Sequence, residues 1–176
     1  TVSVEKLMQR LKKENDAFWN ANERRAKAER LGLTIPEVIT LASIVEEETN
    51  YQPEKSRVAG LYLNRLRKGI RLQSDPTVKF ALKDFALNRI LFEHLKVDDP
   101  YNTYKYAGLP PGPIRLPSVA TIDAVLNAEK HNYIYMCAHP DFNGTHNFAV
   151  TLAEHNRNAA KYHVALRKWL ADKKKK

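Results

Sequence analysis

The alternation of apolar and polar positions divides the chain into helices, one hairpin and one long irregular segment. Across residues 2–31, apolar side chains recur close to the roughly 3.6-residue helical period with dense charge between them, which predicts one helix. Gly32 marks its C-terminal end. The apolar positions are Val4, Leu7, Met8, Leu11, Phe18 and Trp19.

Two further helices are predicted next. The second begins after Thr34, the predicted N-cap, with Pro36 and Glu37 in its first turn, and runs to about Thr49. The third spans residues 54–69 and ends at Gly69. Its apolar face comprises Val58, Leu61, Tyr62 and Leu66.

Residues 70–118 show less helical periodicity than the segments before them. Ile70 and Leu72 alternate with polar residues, and residues 74–76, Ser-Asp-Pro, predict a turn. A short helix is predicted over residues 84–95. Residues 98–118 hold five of the nine prolines and show no periodicity, which predicts a long loop. Its tyrosines favour an ordered loop, because disordered segments are poor in aromatic residues.

The C-terminal part predicts a helix over residues 119–130, a hairpin and a closing helix over residues 152–171. The hairpin joins residues 132–138 to residues 145–151, with Asn143-Gly144 in its turn. The order of elements predicts an α+β fold, mainly helical with a small antiparallel sheet.

Three consecutive glutamates end the second helix, at its negative dipole end, where acidic residues are unfavourable. On a helical wheel Glu47 points away from the apolar face, whereas Glu46 and Glu48 flank it, each roughly 80° from its centre. Desolvation and the helix dipole both raise the pKa of a carboxyl group placed there, so it can stay protonated as a general acid. Periodicity alone does not choose between Glu46 and Glu48, and a solvated acidic helix end is the structural alternative.

The net charge of +9 predicts an anionic partner, such as nucleic acid, an anionic membrane surface or an acidic polymer. No basic stripe interleaved with aromatic residues is present, which argues against single-stranded nucleic acid. Cys137 is the only cysteine, so no internal disulfide forms, and no signal peptide or membrane-spanning run is recognisable.

A metal site is not predicted. The histidines and the cysteine fit no common zinc spacing, and Cys137 lies in an apolar strand as a small hydrophobic residue. No cofactor is predicted either. The residues considered were His131, Cys137, His139, His146 and His155.

The stretch Glu48-Thr49-Asn50-Tyr51-Gln52-Pro53 resembles the Glu-Ser-x-aromatic-x-Pro signature of lysozyme-like lytic transglycosylases. From about Leu33 to about Lys168 the chain is similar to the catalytic domain of the YceG-like, MltG-type family of endolytic murein transglycosylases. The motifs that carry this resemblance are Leu-Gln-x-Asp-Pro-Thr, Tyr-Asn-Thr-Tyr, Gly-Leu-Pro-Pro and Glu-His-Asn, in that order. The family commonly has Glu-Lys-Glu-Thr at residues 46–49, and its catalytic glutamate precedes the threonine, so the resemblance assigns the acid/base role to Glu48.

The resemblance implies non-hydrolytic cleavage of the β-1,4 bond between N-acetylmuramic acid and N-acetylglucosamine, giving 1,6-anhydro ends. Glu48 would serve as acid and then as base, because the nucleophile is the substrate's own C6 hydroxyl.

Candidate substrate-binding residues are in the loops and at the start of the last helix. Gln73, Ser74 and Asp75 follow the third helix, with ordinary turn chemistry as their alternative. Tyr101, Asn102 and Tyr104 offer a ring and amide edges suited to sugars, with packing of the loop on itself as the alternative. Asn156 is a further candidate, although a hydrogen bond from Asn156 or His155 to the Tyr101 loop is the favoured interpretation.

The predicted organisation is an N-terminal helical segment over residues 1–33, a catalytic domain over residues 34–171 and a basic tail over residues 172–176. The resemblance implies peptidoglycan strands and murein synthases as partners, with no nucleic acid. It also implies a place in the cell envelope, at the extracytoplasmic face of the inner membrane. The membrane anchor and LysM-like domain usual in the family are absent from this chain, which starts at Thr1, so we expect a fragment. The alternative function is a non-catalytic module that binds cell-wall glycan or nucleic acid.

Overall fold

The structure, a computed structural model, describes residues 3–87 and 89–173. The described residues form seven α-helices and a two-stranded antiparallel hairpin, which confirms the predicted α+β class. The elements are α1 (Val4–Asn20), α2 (Arg24–Leu31), α3 (Ile35–Glu48), α4 (Lys55–Arg67), α5 (Asp75–Leu82), α6 (Val119–Leu126), β1 (Tyr135–Ala138), β2 (His146–Ala149) and α7 (Leu152–Lys173).

The single helix predicted over residues 2–31 is wrong, because a break separates α1 from α2 at residues 21–23. Asn22 and Glu23 adopt left-handed backbone conformations there, with φ of 56° and 55°. Asparagine tolerates this conformation better than most residues. The apolar positions keep their helical spacing across the break, so periodicity alone does not reveal it. Gly32 ends α2 with φ of 72°, as predicted.

Helix α3 runs through the centre of the fold and packs against α4, α5 and α6. Thr34 caps it in a full capping box with Glu37, and Pro36 occupies its first turn, as predicted. Its middle is buried on all sides, which is usual for a central helix. The fully buried side chains of α3 include Val38, Leu41, Ala42, Ile44 and Val45.

Polar contacts and one close backbone approach fix the helices around α3. The backbone N–H of Ile114 donates to Ser43 Oγ on α3 (3.0 Å). The Arg24 guanidinium makes a bidentate ion pair with Asp123 (2.8 and 2.9 Å), which joins α2 to α6. On α4, a Cβ added to Gly60 would lie 2.3 Å from the carbonyl oxygen of Glu129, so only glycine fits there.

Two sequence predictions for residues 70–97 are wrong. Residues 74–76 do not form an isolated turn: Pro76 lies in the first turn of α5, a helix that periodicity did not predict. No α-helix forms over the described part of residues 84–95, and only a 3₁₀ turn at His94–Lys96 is present. Asn88, within that predicted helix, lies outside the described residues.

The hairpin and closing helix form as predicted. Tyr135 pairs with Ala149 and Ala138 with His146, and α7 packs against both strands. Gly144 in the connection has φ of 78°, consistent with the predicted Asn143-Gly144 turn. In the stretches 3–87 and 89–173, no helix has the length and apolar character needed to cross a membrane.

Candidate active site

A cavity of about 220 Å³ opens where the C-terminal end of α3 meets α4, the start of α5 and the hairpin. It contains Glu48 and three of the seven predicted substrate-binding residues, Gln73, Asp75 and Tyr104. A fourth, Ser74, is hydrogen-bonded to Glu48. Its remaining walls come from α4 and from the hairpin. The side chains that contribute there are Leu61, Tyr62, Arg65, Met136, Cys137, Ala138 and His146.

The two carboxyl oxygens of Glu48 have different environments. Tyr62 Oη and Ser74 Oγ both donate to Glu48 Oε1, each at 2.5 Å. Within residues 3–87 and 89–173, Oε2 receives no hydrogen bond, and it is not sealed away from the cavity. Because two donors occupy Oε1, a proton on this carboxyl group belongs on Oε2, the oxygen that a substrate can reach.

Burial raises the pKa of Glu48. The hydrogen bonds from Ser74 and Tyr62 and the charge of His146 oppose this effect but are the smaller contributions, while Asp75 adds to it. The pKa of the Tyr62 hydroxyl is also raised, first by burial and then by Glu48, so Tyr62 remains a donor. The carboxyl group at position 48 is therefore poised to carry a proton at higher pH than an ordinary glutamate.

The neighbouring glutamates have different surroundings, and of the two that periodicity left open only Glu48 has a raised pKa. Glu46 accepts hydrogen bonds from Lys55 Nζ (2.9 Å) and from the Ser118 backbone and hydroxyl (3.1 and 2.9 Å). Burial acts to raise its pKa, but Thr121, Lys55 and Ser118 together lower it to about 2. Glu46 is therefore ionised near neutral pH and ties α3 to the start of α6 through Ser118. Glu47 is exposed, as the helical wheel predicts, and pairs with Arg115.

Asp75 and Tyr104 face each other across the cavity wall. Tyr104 Oη donates to Asp75 Oδ1 at 2.6 Å, and burial followed by Asp75 raises the pKa of the tyrosine. The Ser74 backbone N–H is held by Thr103 Oγ1 (3.0 Å). Arg65 supports the same wall, since its guanidinium donates to the carbonyl oxygen of Leu72 (2.9 Å) and to Gln73 Oε1 (3.2 Å).

Sequence reasoning missed a second polar pair beside the cavity. Glu54, buried at 6% exposure, receives the backbone N–H of His146 on Oε1 (2.9 Å) and faces His146 Nδ1 with Oε2 (2.8 Å). Burial acts to raise the pKa of Glu54, but the bonds to His146 outweigh it and the pKa is lowered. An ionised carboxylate only accepts hydrogen bonds, so Nδ1 must carry its proton, and Nε2 remains for the cavity.

Three of the predicted substrate-binding residues lie elsewhere. Asn102 is fully buried: its amide donates to the carbonyl oxygens of Leu95 (2.9 Å) and Val97 (2.8 Å) and its Oδ1 accepts from the Tyr104 N–H (3.0 Å). It builds the 98–118 loop and cannot contact a glycan.

Tyr101 and Asn156 are likewise absent from the cavity walls. The Tyr101 ring packs on Phe80 with centroids 4.6 Å apart. Asn156 is exposed on α7. Across the ranges 3–87 and 89–173, neither Asn156 nor His155 forms the expected side-chain hydrogen bond to the Tyr101 loop; His155 instead stacks on Tyr135.

Sequence patterns carry little signal for Tyr62 and the Glu54–His146 pair. Tyr62 sits at an apolar position of α4, where periodicity assigns it to the core. Glu54 and His146 are 92 residues apart, and only the tertiary fold joins them. Among the residues that the structure describes, no group of three or more histidine, cysteine or acidic side chains is arranged to hold a metal ion.

The fold and the cavity define a class of protein: a mainly helical α+β domain in which an enclosed glutamate ends the central helix and faces a groove beside a hairpin. Comparison with known proteins identifies the family. The model of the YceG-like family matches residues 1–161, and the chain belongs to this family.

Relatives are known by sequence and by structure. The chain is 34% identical over 160 residues to the endolytic murein transglycosylase of Bacillus subtilis (strain 168), covering 91% of this chain and 43% of that protein. It is 34% identical over 134 residues to the enzyme of that name from Streptococcus pneumoniae serotype 2, covering 74% and 24%. A crystal structure of a YceG-like protein from Listeria monocytogenes superposes with a TM-score of 0.73 at 35% identity, covering 89% of this chain and 49% of that one. The chain thus spans less than half the length of these relatives.

Proposed function

We propose that this chain is the catalytic domain of an endolytic peptidoglycan lytic transglycosylase, which cleaves the β-1,4 bond between N-acetylmuramic acid and N-acetylglucosamine without water. The observation that carries the proposal is the asymmetry of Glu48, with Oε1 held by Tyr62 and Ser74 and Oε2 facing the cavity. The names of the relatives support the same substrate class.

In the first step, Glu48 acts as a general acid. Its proton on Oε2 passes to the glycosidic oxygen as the bond from this oxygen to C1 breaks, so the leaving sugar departs as an alcohol. The raised pKa of Glu48 keeps the proton available, and the hydroxyls of Tyr62 and Ser74 stabilise the carboxylate that forms.

In the second step, the carboxylate of Glu48 acts as a base. It takes the proton of the C6 hydroxyl of the muramic sugar while the C6 oxygen bonds to C1, which closes a 1,6-anhydro ring and restores the protonated acid. Atoms and charges balance without water, since one proton leaves Glu48 and one returns. A substrate-borne nucleophile explains why no second protein carboxylate is required as a base or nucleophile.

An ordinary glycoside hydrolase is the second candidate, because Asp75 also lines the cavity. Hydrolases commonly use a pair of carboxyl groups, about 5–9.5 Å apart. The hydrogen bond from Tyr104 Oη to Asp75 Oδ1 (2.6 Å) argues against a hydrolase, because it engages the second carboxyl group. The product distinguishes the two reactions, because hydrolysis adds water across the bond and transglycosylation does not.

The proposal is tested by digesting purified peptidoglycan and determining the masses of the released ends. We expect ends that are one water lighter than hydrolytic products. Ordinary reducing ends would identify a hydrolase. Binding to glycan with no cleavage would indicate a binding module, and a DNA-binding module would lose affinity steeply with added salt. Because the chain spans less than half of its relatives, the digestion is run with the full-length protein as well.

We also propose that Glu54 is a positioning residue for His146. The charge of His146 acts to lower the pKa of Glu48, which favours the carboxylate needed in the second step. Glutamine at position 54 keeps only one accepting oxygen, so either the backbone N–H or the ring Nδ1–H of His146 loses its acceptor.

Glu54→Gln is expected to lower kcat about tenfold with little change in KM, and His146→Gln to do the same. If the two act as one unit, the double variant loses no more than either single variant, as a double-mutant cycle measures. Independent, additive losses would contradict the positioning role. The matched control is Glu129→Gln, which alters a surface ion pair with Arg57 (3.0 Å) and is expected to leave kcat unchanged.

A peptidoglycan substrate places the protein in the cell envelope. We propose that the full-length protein is held at the extracytoplasmic face of the inner membrane by an anchor outside this sequence, and that murein synthases are its partners. Separation of membranes from soluble protein, followed by detection of the full-length chain, tests the anchor. Recovery in the soluble fraction would overturn it.

A further inference from the structure

A second cleft continues from the catalytic cavity toward the tip of the hairpin. It has a volume of about 380 Å³ and shares Glu48, Ala138 and His146 with the cavity. The cavity extends from these residues toward Asp75 and Tyr104, whereas the cleft extends toward Phe142 and Tyr162. Its volume falls within the roughly 300–1,000 Å³ range of ligand sites in proteins. We call it the hairpin-tip cleft.

Aromatic rings form one side of this cleft and remain partly exposed. The Phe142 ring lies 5.8 Å, centroid to centroid, from both Tyr162 and Trp169. Phe142 and Trp169 keep 43% and 42% of their surface exposed, so the cluster is not sealed as a core would be. Partly exposed rings provide flat apolar surface, and the faces of pyranose rings carry C–H groups that pack on such surface.

The lining of the cleft also includes polar groups of the kind that bind hydroxyl and acetamido groups. Asn50 lines the cleft just beyond the end of α3 and is exposed. Its side chain makes no hydrogen bond within residues 3–87 and 89–173, so both its donor and its acceptor are available to a ligand. Apolar lining combined with a few polar groups is the usual composition of a small-molecule site.

The hairpin-tip cleft is continuous with the cavity that contains Glu48, and this continuity points to a glycan as its ligand. A strand cut in its interior must continue past the cleaved bond in both directions, and the shared Glu48 places the hairpin-tip cleft on one of those paths. We propose that this cleft is a glycan subsite that binds the sugar adjacent to the cleaved bond, with its ring packed against Phe142 and Tyr162. This inference rests on the proposed function, since Glu48 defines where the bond lies.

The subsite is tested with soluble N-acetylglucosamine hexamers and the Glu48→Gln protein, which binds without cutting. Phe142→Leu, added to this protein, is expected to weaken hexamer binding about tenfold, as measured by titration calorimetry. Phe142→Tyr, which keeps a ring, is expected to retain the affinity. Phe92→Leu is the matched control, because Phe92 is 88% exposed and lies outside both the cavity and the cleft.

Equal affinities for Phe142→Leu and Phe92→Leu would overturn the subsite, as would an equal loss with Leu and Tyr at position 142. A second measurement does not depend on any Phe142 variant folding: hydrogen exchange of the Glu48→Gln protein with and without hexamer. We expect slower exchange of the amides of residues 139–145 when the hexamer is bound, and unchanged exchange there would refute the proposal.

The outcome is separable from that of the proposed function. If the wild-type protein cuts peptidoglycan while the position-142 variants bind hexamer normally, the subsite fails and the function stands. If the wild-type protein does not cut but Phe142→Leu still weakens hexamer binding, the cleft is a glycan-binding site, whereas the catalytic proposal and the assignment of this sugar to a cleaved bond both fail.

Discussion

Replacing Glu48 by glutamine is expected to lower the rate of peptidoglycan cleavage by about 10²–10⁴-fold. Glutamine preserves the size of the side chain and an oxygen that accepts hydrogen bonds from Tyr62 and Ser74. It carries no transferable acidic proton, so both proposed steps lose their proton carrier. The measurement is the initial rate at which anhydro ends appear, determined by mass spectrometry of digests. Activity close to wild type would refute the role of Glu48.

Two comparisons distinguish a loss of catalysis by Glu48→Gln from a loss of folding. Glu47→Gln, one residue earlier on the exposed side of α3, is the matched control and should retain activity. Because the folded protein raises the pKa of Glu48, ionising this group opposes folding as pH rises above the unfolded value of about 4.3. Glu48→Gln should therefore unfold at the same or a higher temperature than wild type at pH 7.

The same raised pKa fixes the direction of the pH dependence of cleavage. The first step requires the protonated acid, so kcat/KM should fall as pH rises through the pKa of Glu48 in the free enzyme. The fall should occur at higher pH than for an ordinary glutamate, and a midpoint at about 4.3 would contradict the desolvated environment.

Asn102→Ala is expected to reduce the free energy of unfolding by about 3 kcal/mol. The substitution leaves the buried carbonyl oxygens of Leu95 and Val97 without their donor and the Tyr104 N–H without its acceptor. For a domain of this size, the melting temperature should fall by roughly 6–12 °C. Thermal unfolding followed by circular dichroism measures the change.

Asn156→Ala is the matched control for this substitution, because Asn156 is an exposed asparagine on α7. It should change the free energy of unfolding by no more than about 0.5 kcal/mol. An unchanged melting temperature for Asn102→Ala, combined with weaker glycan binding, would instead restore the role in substrate contact that the sequence suggested for Asn102.

Elements fixed by local signals were predictable from the sequence. Thr34, Pro36 and Glu37 mark the start of α3 by capping chemistry, and Asn143-Gly144 marks the hairpin connection. The break after α1 was not predictable, because its cause is two left-handed residues inside a continuous hydrophobic period. Helix α5 was missed for a similar reason: Ser-Asp-Pro is typical both of a turn and of a helix start, and only tertiary packing chooses between them.

The candidate site was predictable where residues are close in sequence to a recognisable motif. Gln73, Ser74 and Asp75 were candidates for the cleft on this ground, and the structure brings them close to Glu48. The contributions of Tyr62 and of Glu54 with His146 depend on which faces of distant elements meet. The sequence does not distinguish an asparagine that is buried in a loop from one that binds a sugar. Asn102 could therefore be assigned to the loop only from its three hydrogen bonds.

The close contact at Gly60 bears on how far the proposed active site is ordered before a substrate binds. Its close backbone approach to Glu129 locks α4 two residues before Tyr62, while the bond from Ile114 to Ser43 locks α3 five residues before Glu48. The acid and its hydrogen-bond donor Tyr62 are therefore each carried by a helix that a nearby contact holds in place. Under the proposed function, the proton donor is preorganised before a glycan strand binds, so binding energy is available for distorting the sugar and is not needed to order the site.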